Sequence, residues 1–326
     1  MKDRFGRTVN YLRISVTDRC NLRCRYCMPD GIERIPMAEI LTYEEIAFVC
    51  GQAVRLGIDR FRITGGEPLV RKDCAALVAM LKRIPGVRQV AMTTNGVLLR
   101  EHLEELLAAG LDAVNVSLDT MDREQYRAIT GSDGLSRVLD AIRTAAGRLP
   151  VRVNCVIQRG INEDAPEGLA GLARELPVDV RFIELMPLGA GKDLAAVANS
   201  SVLAEIEERY GKTEEDRERR GNGPAVYRRP AGFAGRIGFI SAIHGKFCGE
   251  CNRLRMTSTW GTETLPLLCR YRSAQGNPAG RRSREGGADP GKDLGSGDAQ
   301  AAGPLLRTPE RCDRGQGNVA DRRMNL

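Results

Sequence analysis

Residues 11–27 read YLRISVTDRCNLRCRYC, a strand-like run that is followed at once by three cysteines. The run is rich in β-branched and aromatic residues, which favour a strand. The cysteines are Cys20, Cys24 and Cys27, a Cys-x3-Cys-x2-Cys spacing. In parallel α/β proteins ligands bind at the carboxyl ends of the strands. This stretch therefore predicts both a fold class and the position of a site within it.

The spacing favours an iron–sulfur cluster over the alternatives. Three thiolates can hold three irons of a [4Fe–4S] cube and leave the fourth iron open to a ligand. A structural zinc ion requires four ligands in a closed shell, and no fourth Cys or His lies nearby in the sequence. Thiols with no common function are the remaining alternative.

Composition limits the compartment and the chemistry. The chain has 326 residues, ten cysteines, two histidines and a formal charge of +7. It begins without an apolar leader and contains no long apolar run, so we expect neither secretion nor a membrane span. Clustered cysteines without an export signal indicate metal ligands in a reducing cytoplasm. The basic excess permits an anionic ligand, although such an excess more often serves solubility.

Strand-like and helix-like segments alternate along the first half of the chain. The six strand-like runs are Tyr11–Thr17, Arg60–Thr64, Val90–Thr94, Ala113–Leu118, Val151–Ile157 and Val180–Met186. Helical patterns separate them, and the first of these begins with a capping box at Thr42 and Glu45. The alternation predicts an α/β fold with a parallel sheet, a partial (β/α)6 TIM-type barrel. The loops after the first four strands should then meet at one mouth.

Beyond Met186 the alternation stops. We expect three regions: residues 1–190 form the partial barrel, 191–259 form a C-terminal extension, and 260–326 form an atypical tail. Within the extension, Glu214–Gly223 is interpreted as a charged loop and Arg236–Ser241 as a strand. From Arg272 onward the chain has almost no large apolar residues, which predicts a disordered tail.

A second cysteine pair lies in the extension. Cys248 and Cys251 form a Cys-x2-Cys pair, a spacing that suits zinc and a second iron–sulfur cluster about equally. Arg253 and Arg255 follow on one side of a strand and could bind an anion. The alternative is a solvent-facing strand edge.

Taken together, these motifs resemble a known family. The cysteine spacing, with an aromatic residue before the last cysteine, is similar to the radical S-adenosylmethionine (SAM) signature. The further motifs are TGGEP at 64–68, TTNG at 93–96, NVSLD at 115–119 and FCGECNRLR at 247–255. Their order and spacing resemble the GTP 3′,8-cyclase family of molybdenum cofactor biosynthesis, from about Phe5 to about Thr259.

The resemblance implies a reaction and a set of site residues. The reaction is conversion of GTP to 3′,8-cyclo-7,8-dihydro-GTP by a radical that SAM supplies. The implied ligands of the SAM cluster are Cys20, Cys24 and Cys27, and those of a second [4Fe–4S] cluster include Cys248 and Cys251. The implied SAM contacts are Tyr26, Gly66, Ser117 and Met186. The implied GTP contacts are Arg13, Arg62, Thr93, Arg152, Arg253, Leu254 and Arg255.

The chain departs from the family pattern after Thr259. The third ligand of the second cluster should lie fourteen residues beyond Cys251, where the chain has Leu265, and Cys269 lies four residues further on. We interpret the tail as a frameshifted translation. The codons of Leu265-Pro266 permit Cys at this position in the shifted frame, and those of residues 318–325 permit an ending in Gly-Gly, as in the family. The second cluster and the activity are then expected to be impaired.

The resemblance also implies partners. These are GTP, an electron donor such as flavodoxin or ferredoxin, and the downstream pyranopterin monophosphate synthase, with a homodimer as one open oligomeric state. One alternative is a radical SAM enzyme that acts on another substrate, such as a peptide, through its second cluster. Another is a metal-binding or nucleic-acid-binding module whose arginines contact phosphates, which the low aromatic content of 5% disfavours because no stacking platform is interleaved with the arginines.

Overall fold

The computed structural model of the chain describes residues 2–3, 6–27, 35–186, 194–216, 218, 221–245, 251–259 and 262–263. The helices are α1 (Tyr43–Arg55), α2 (Cys74–Lys82), α3 (Leu99–Ala108), α4 (Arg123–Thr130), α5 (Leu135–Ala145), α6 (Ala165–Glu175) and α7 (Asn199–Tyr210). The strands are β1 (Tyr11–Ser15), β2 (Arg60–Thr64), β3 (Gln89–Thr94), β4 (Ala113–Ser117), β5 (Val151–Ile157), β6 (Val178–Glu184), β7 (Thr213–Asp216), β8 (Val226–Pro230), β9 (Arg236–Ile240), β10 (Arg253–Met256) and β11 (Thr262–Glu263).

The strands join in a single sheet. Their order in the described chain is β11-β10-β1-β2-β3-β4-β5-β6-β9-β8-β7. The run from β10 through β1 to β6 and on to β9 is parallel, and the outer strands are antiparallel. The expected α/β partial barrel of six strands is therefore confirmed. The C-terminal extension lengthens the same sheet at both ends, with β9 beside β6 and β10 beside β1.

Each central strand has one apolar and one polar face. In β2, Phe61 and Ile63 are fully buried in the main apolar core, whereas Arg62 and Thr64 occupy the alternate positions. Because side chains alternate along a strand, this pattern puts the apolar residues against the helices and the polar residues on the concave side. We call the space on that concave side the lumen.

Local chemistry accounts for the first helix. Thr42 accepts a hydrogen bond from the backbone N–H of Glu45, and the Glu45 side chain accepts one from the N–H of Thr42, so the capping box is present. Ile46 and Cys50 are buried on its inner face. Cys50 is therefore a small residue of the apolar core, and Cys74 is buried in the same core.

One local expectation was wrong. The segment expected as a loop at Glu214–Gly223 begins within β7, which pairs antiparallel with β8. The sequence of β7 is TEED, which lacks the apolar alternation of an inner strand. Charged residues are tolerated there because β7 is an edge strand, where they discourage pairing with other chains. None of the described helices is long and apolar enough to cross a membrane.

Candidate functional site

Loops after four neighbouring strands meet at the carboxyl edge of the sheet. The Tyr26 hydroxyl, in the loop after β1, donates to Asp119 Oδ2 after β4 at 2.7 Å. The Asn95 side chain, after β3, donates to Asn21 Oδ1 at 2.7 Å. These contacts confirm that the strand ends predicted to share one mouth do so.

The two glycines after β2 allow main chains to approach closely. The N–H of Gly66 donates to the carbonyl oxygen of Thr17 at 2.8 Å, and that of Glu67 to Arg19 at 2.8 Å. A Cβ at Gly66 would lie 2.3 Å from the carbonyl oxygen of Arg19. Only glycine fits here, because any side chain would push the end of β2 away from the chain that leads into Cys20.

Glu67 fixes the loop after β3. Its Oε1 accepts from the Thr94 hydroxyl at 2.7 Å and the Leu69 N–H at 3.1 Å, and its Oε2 accepts from the Asn95 N–H at 2.6 Å. Burial raises the pKa of Glu67 to about 7, although these three hydrogen bonds oppose the shift. This carboxylate therefore holds Asn95 beside the first cysteine.

The segment 20–27, here called the cysteine loop, presents three half-buried thiols, none of which is in a disulfide. Cys20 Sγ accepts a hydrogen bond from the Leu22 N–H at 3.4 Å, and the Asn95 side-chain nitrogen lies 3.8 Å away. Burial raises the pKa of Cys20, and these donors oppose the shift. Burial also raises the pKa of Cys24, and the charges of Asp119, Cys27 and Cys20 add to the effect.

This donor set fits an iron–sulfur cube. Among the described residues, no three His, Cys, Asp or Glu side chains form a group that could hold a single metal ion. In a cube each cysteine binds a different iron, so the three thiolates need not converge on one point. The N–H donors around Cys20 suit a ligated thiolate, since metal ligands are usually held by a second layer of hydrogen bonds.

The four residues expected to contact SAM lie along the same edge. Tyr26 is in the cysteine loop and Gly66 follows β2. Ser117 is the last residue of β4, and Met186 comes two residues after β6. All four are half-buried, so each keeps part of its surface open. Their contacts with SAM stay a prediction.

Asp119 anchors the aromatic residue of the cysteine loop. Its Oδ1 accepts from the Val156 N–H at 2.9 Å, and its Oδ2 accepts from Tyr26. Burial raises the pKa of Asp119 to about 6, against the effect of these two hydrogen bonds. Burial and the nearby Asp119 raise the pKa of Tyr26 well above its usual value, so its hydroxyl stays a donor.

A layer of arginines lines the lumen below this mouth. The residues of this arginine layer are Arg13, Arg62, Arg152, Arg181 and Arg255. Arg13 pairs in register with Arg62 on β2 and with Arg255 on β10. Arg62 bonds to the Tyr11 hydroxyl and donates to Thr93 Oγ1 at 3.3 Å.

Arg13 in the arginine layer is buried among other cations. Burial lowers the pKa of Arg13 to about 9, and repulsion from Arg255, Arg62 and Arg253 adds to the effect while Tyr11 opposes it. Within the described chain no carboxylate forms an ion pair with Arg13. Buried cations usually need paired anions. The layer is therefore suited to a polyanionic ligand.

The other lumen residues expected from the sequence are close to this layer. Thr93 pairs in register with Asn115, and Asn115 pairs with Arg152 on the next strand. Arg152 Nε lies 3.9 Å from Asp179 Oδ2, a loose ion pair that leaves the guanidinium available to a second anion. Four predicted positions, on β1, β2, β3 and β5, are thus brought to one side of the sheet.

The positions on β10 divide between the two faces. Arg253 and Arg255 alternate with Leu254, as predicted for one side of a strand. The Leu254 side chain packs against the main apolar core, so only its main chain can contact a ligand in the lumen.

Cys251 lies just before β10. Burial raises the pKa of Cys251, but the Arg253 N–H and the charges of Arg253 and Arg7 outweigh it and lower the pKa. Cys248 lies outside the described residues.

Glu184 fastens the segment that leads towards Cys251. It ends β6 and accepts from the N–H groups of Asn199, Ile243 and His244 at 3.2, 3.0 and 3.2 Å. Its Oε1 also lies 2.9 Å from His244 Nδ1. Burial would raise the pKa of Glu184, but these hydrogen bonds outweigh it and lower the pKa.

Arg181 is a lumen residue that the sequence reasoning missed. It donates to Asn154 Oδ1 at 2.9 and 2.6 Å. Burial lowers its pKa to about 10; Tyr227 opposes the shift, and Arg62 and Arg152 add to it. A Cβ at Gly238 would lie 2.9 Å from both Arg181 and Tyr227, so the glycine makes room for them. The available signal was a charged residue between two apolar residues of β6, the pattern also found around Arg13 and Arg62.

Two family profiles match consecutive parts of the chain. The radical SAM superfamily profile matches residues 14–173, and the Molybdenum Cofactor Synthesis C profile matches residues 178–264. The crystal structure of Streptococcus suis SuiB bound to S-adenosylmethionine has a TM-score of 0.59 at 14% identity, over 82% of this chain and 62% of that one. That likeness shows the fold alone.

Curated relatives are much closer in sequence. The GTP 3′,8-cyclase of Pelotomaculum thermopropionicum is 46% identical over 80% of this chain and 82% of its own. That of Peptoclostridium acidaminophilum is 45% identical over 78% and 80%. Identity of this level over four fifths of both chains shows membership, and the cysteine loop agrees with it. The chain therefore belongs to the GTP 3′,8-cyclase family of the radical SAM superfamily.

Proposed function

We propose that the chain converts GTP to 3′,8-cyclo-7,8-dihydro-GTP, the first step of molybdenum cofactor biosynthesis. The single observation that carries this proposal is the arginine layer, whose members on β1, β2 and β10 lie in register on strands next to the cysteine loop in the sheet. A nucleoside triphosphate held there by its phosphates has its ribose and base available to the mouth. The names of the relatives support GTP as that nucleotide.

The residues have separate tasks in this reaction. Cys20, Cys24 and Cys27 would hold the cluster. When bound, the reduced cluster supplies the electron that cleaves SAM to methionine and a 5′-deoxyadenosyl radical. The arginine layer neutralises the phosphates and orients the ribose. The loops after β1 to β4 surround the reacting atoms and keep water from them.

The electron balance of the reaction requires an external reductant. The hydrogen atom of ribose C3′ would pass to the 5′-carbon that SAM supplies, giving 5′-deoxyadenosine, and C3′ would form a bond to C8 of guanine. The closed ring needs one more electron and a proton to give the 7,8-dihydro product. An external one-electron donor of the flavodoxin or ferredoxin type would supply the electrons.

Anaerobic reconstitution with iron, sulfide, SAM, GTP and a reductant tests the proposal. We expect 5′-deoxyadenosine and the cyclised nucleotide in equal amounts. Two control reactions are otherwise identical. Inosine triphosphate replaces GTP in the first, and a peptide mixture replaces it in the second. Formation of 5′-deoxyadenosine with no cyclised GTP would assign the chain to a different substrate.

A second [4Fe–4S] cluster forms part of the proposal. Cys248 and Cys251 would be two of its ligands, and Leu265 takes the place of the third. The Molybdenum Cofactor Synthesis C match ends at residue 264, one residue before Leu265, which supports a break in the family pattern there. Residues 264–326, including Cys269, lie outside the described residues.

Restoring the third ligand tests this part. In Leu265→Cys we expect iron to rise from about four to about eight atoms per chain and cyclisation to increase. Leu268→Cys, a cysteine three residues away, is the control and should change neither.

Resequencing the gene tests the frameshift: an intact frame that encodes 260–326 as written would contradict it.

The cellular setting is proposed on chemical grounds. None of the described cysteines is in a disulfide, which suits a reducing cytoplasm. The product would pass to pyranopterin monophosphate synthase. A homodimer is the proposed oligomeric state, and light scattering of the reconstituted chain measures it directly.

A further inference from the structure

An amide in the middle of the lumen has no partner. Asn115 is 6% exposed, and its Oδ1 is buried without a hydrogen bond. Within the described part of the chain its side chain bonds to no other group. A buried polar atom without a partner typically costs about 1–3 kcal/mol. Asparagine is also a poor strand former, so the fold gains nothing from this residue.

A second inward asparagine shows what a structural role would look like. Asn154 lies on the neighbouring strand β5 and is equally buried. Its Oδ1 accepts two hydrogen bonds from the guanidinium of Arg181. The protein thus satisfies one lumen amide internally and leaves the other open. Unsatisfied groups of this kind are few in native structures, and each requires an explanation such as strain, a bound water or ion, or a functional role.

The register places Asn115 within the nucleotide site. It pairs with Thr93 on one side and Arg152 on the other, both expected to contact the substrate. Its neighbours along β4, Val114 and Val116, are buried in the apolar core on the opposite face. The side chain therefore belongs to the lumen face, at the level of the arginine layer.

The chemistry of the amide differs from that of its surroundings. The guanidinium groups of the arginine layer are donors and suit phosphate oxygens, which only accept at neutral pH. The orphaned Oδ1 of Asn115 needs a donor, which a triphosphate does not provide. The nucleoside part does provide donors: ribose hydroxyls and the N–H groups of guanine.

We propose that Asn115 determines specificity in the nucleotide site by accepting a hydrogen bond from the nucleoside part of the substrate. This inference rests on the proposed function and deepens it. The arginine layer binds the phosphates, which any nucleotide carries. Asn115 binds the neutral ribose or guanine and aligns the ribose relative to the cysteine loop. The loss of stability in the empty protein is offset when the nucleotide binds.

The test compares Asn115→Leu with the wild type, both as the full chain reconstituted anaerobically. Leucine has nearly the same shape and no polar atom. Without nucleotide, we expect its unfolding midpoint to be unchanged or raised by up to about 2–4 °C. Asn154→Leu is the matched control and should lower the midpoint, because it leaves Arg181 without its acceptor.

Binding of four probes supplies the second readout. In Asn115→Leu we expect the affinity for GTP to fall about tenfold, whereas that for inorganic triphosphate stays within about twofold. If the ribose 2′-hydroxyl is the donor, the wild type prefers GTP over 2′-deoxy-GTP and the Asn115→Leu variant does not. If the guanine 2-amino group supplies it, the preference over inosine triphosphate disappears.

Other outcomes would overturn the inference. An equal loss of affinity for GTP and triphosphate would make Asn115 a phosphate ligand. A lowered midpoint with unchanged GTP binding would make it structural. If the leucine variant fails to fold, Asn115→Ala with the same probes decides between these outcomes. Failure of the wild type to bind GTP would instead break the proposed function itself.

Discussion

The cysteine loop and the arginine layer are adjacent regions that suppress charge in opposite ways. Around the cysteine loop, burial raises the pKa of the acids Glu67 and Asp119 to about 7 and about 6. In the arginine layer, burial and mutual repulsion lower the pKa of Arg13 and Arg181. The acids are satisfied by hydrogen bonds from the protein, whereas the arginines repel one another.

The difference indicates which buried charged side chains the protein satisfies without a ligand. Glu67 and Asp119 connect loops and are fully occupied by protein donors, so they are positioning residues. The arginine layer stores repulsion that an anion would relieve. Ligand binding should therefore change the energy of the arginine layer more than that of the cysteine loop. Four predictions test this separation, in order of expected effect.

The largest effect is expected from Cys24→Ala. Loss of one cluster ligand should reduce SAM cleavage to background, because the electron for cleavage comes from the cluster. The affinity for GTP should stay within about twofold of the wild type, since truncation is local. Cys50→Ala, in the apolar core, is the control and should keep SAM cleavage. A parallel loss of GTP affinity in Cys24→Ala would contradict the independence of the cysteine loop and the arginine layer.

The next effect concerns pH and Glu67. Its pKa rises from 4.5 to about 7 on folding, so the folded chain retains a proton that the unfolded chain has lost. The free energy of unfolding should therefore fall as pH rises from about 4.5 to 7 and then level off, by about 3 kcal/mol. Glu67→Gln should remove this slope in denaturant unfolding. Exposed Glu105→Gln is the control, and a slope that survives in Glu67→Gln would contradict the assignment.

Arg13→Met should separate binding from stability. We expect the affinity for GTP to fall about 10–100-fold, the effect of one lost charged hydrogen bond. The free energy of unfolding should not fall, because repulsion from Arg62 and Arg255 is relieved. Arg88→Met, with a 75% exposed side chain, is the control. Calorimetry measures the affinity, and a destabilised variant with normal GTP binding would show that Arg13 is structural.

The smallest effect is expected from Tyr26→Phe, which deletes the hydroxyl that binds Asp119. One neutral-to-acid hydrogen bond of this kind is worth about 1 kcal/mol, so SAM affinity should weaken about fivefold. GTP affinity should not change. Tyr210→Phe loses a hydrogen bond to the Glu167 carbonyl between α7 and α6 and serves as the control. Equal SAM affinity in both variants would show that Tyr26 does not contribute to SAM binding.

Local patterns in the sequence were sufficient for much of the fold. The bounds of β2 and β5 and the capping box of α1 follow from alternation and capping chemistry. The pairing of β10 with β1 does not, because residues about 240 positions apart leave no local signal of contact. For the same reason the sequence placed six strands in the barrel and did not place β9 and β10 beside them.

The lumen residues show a second limit of sequence reasoning. Alternation of apolar and polar residues usually indicates a strand with one face in water. Here the polar face is turned inward, so Arg181 and Asn115 read as ordinary surface positions in the sequence. Only the curvature of the sheet and the burial of both faces distinguish a lined cavity from a solvated face.

The pairing of β1 with β10 also has a consequence for the newly made chain. Arg13 pairs with Arg255, so one edge of β1 stays open until residue 256 leaves the ribosome. At synthesis rates of about 5–20 residues per second this delay is roughly 10–50 seconds. An open strand edge invites pairing with other chains, and an inward charge discourages it. Arg13 would thus protect the nascent sheet from aggregation before it ever meets a nucleotide.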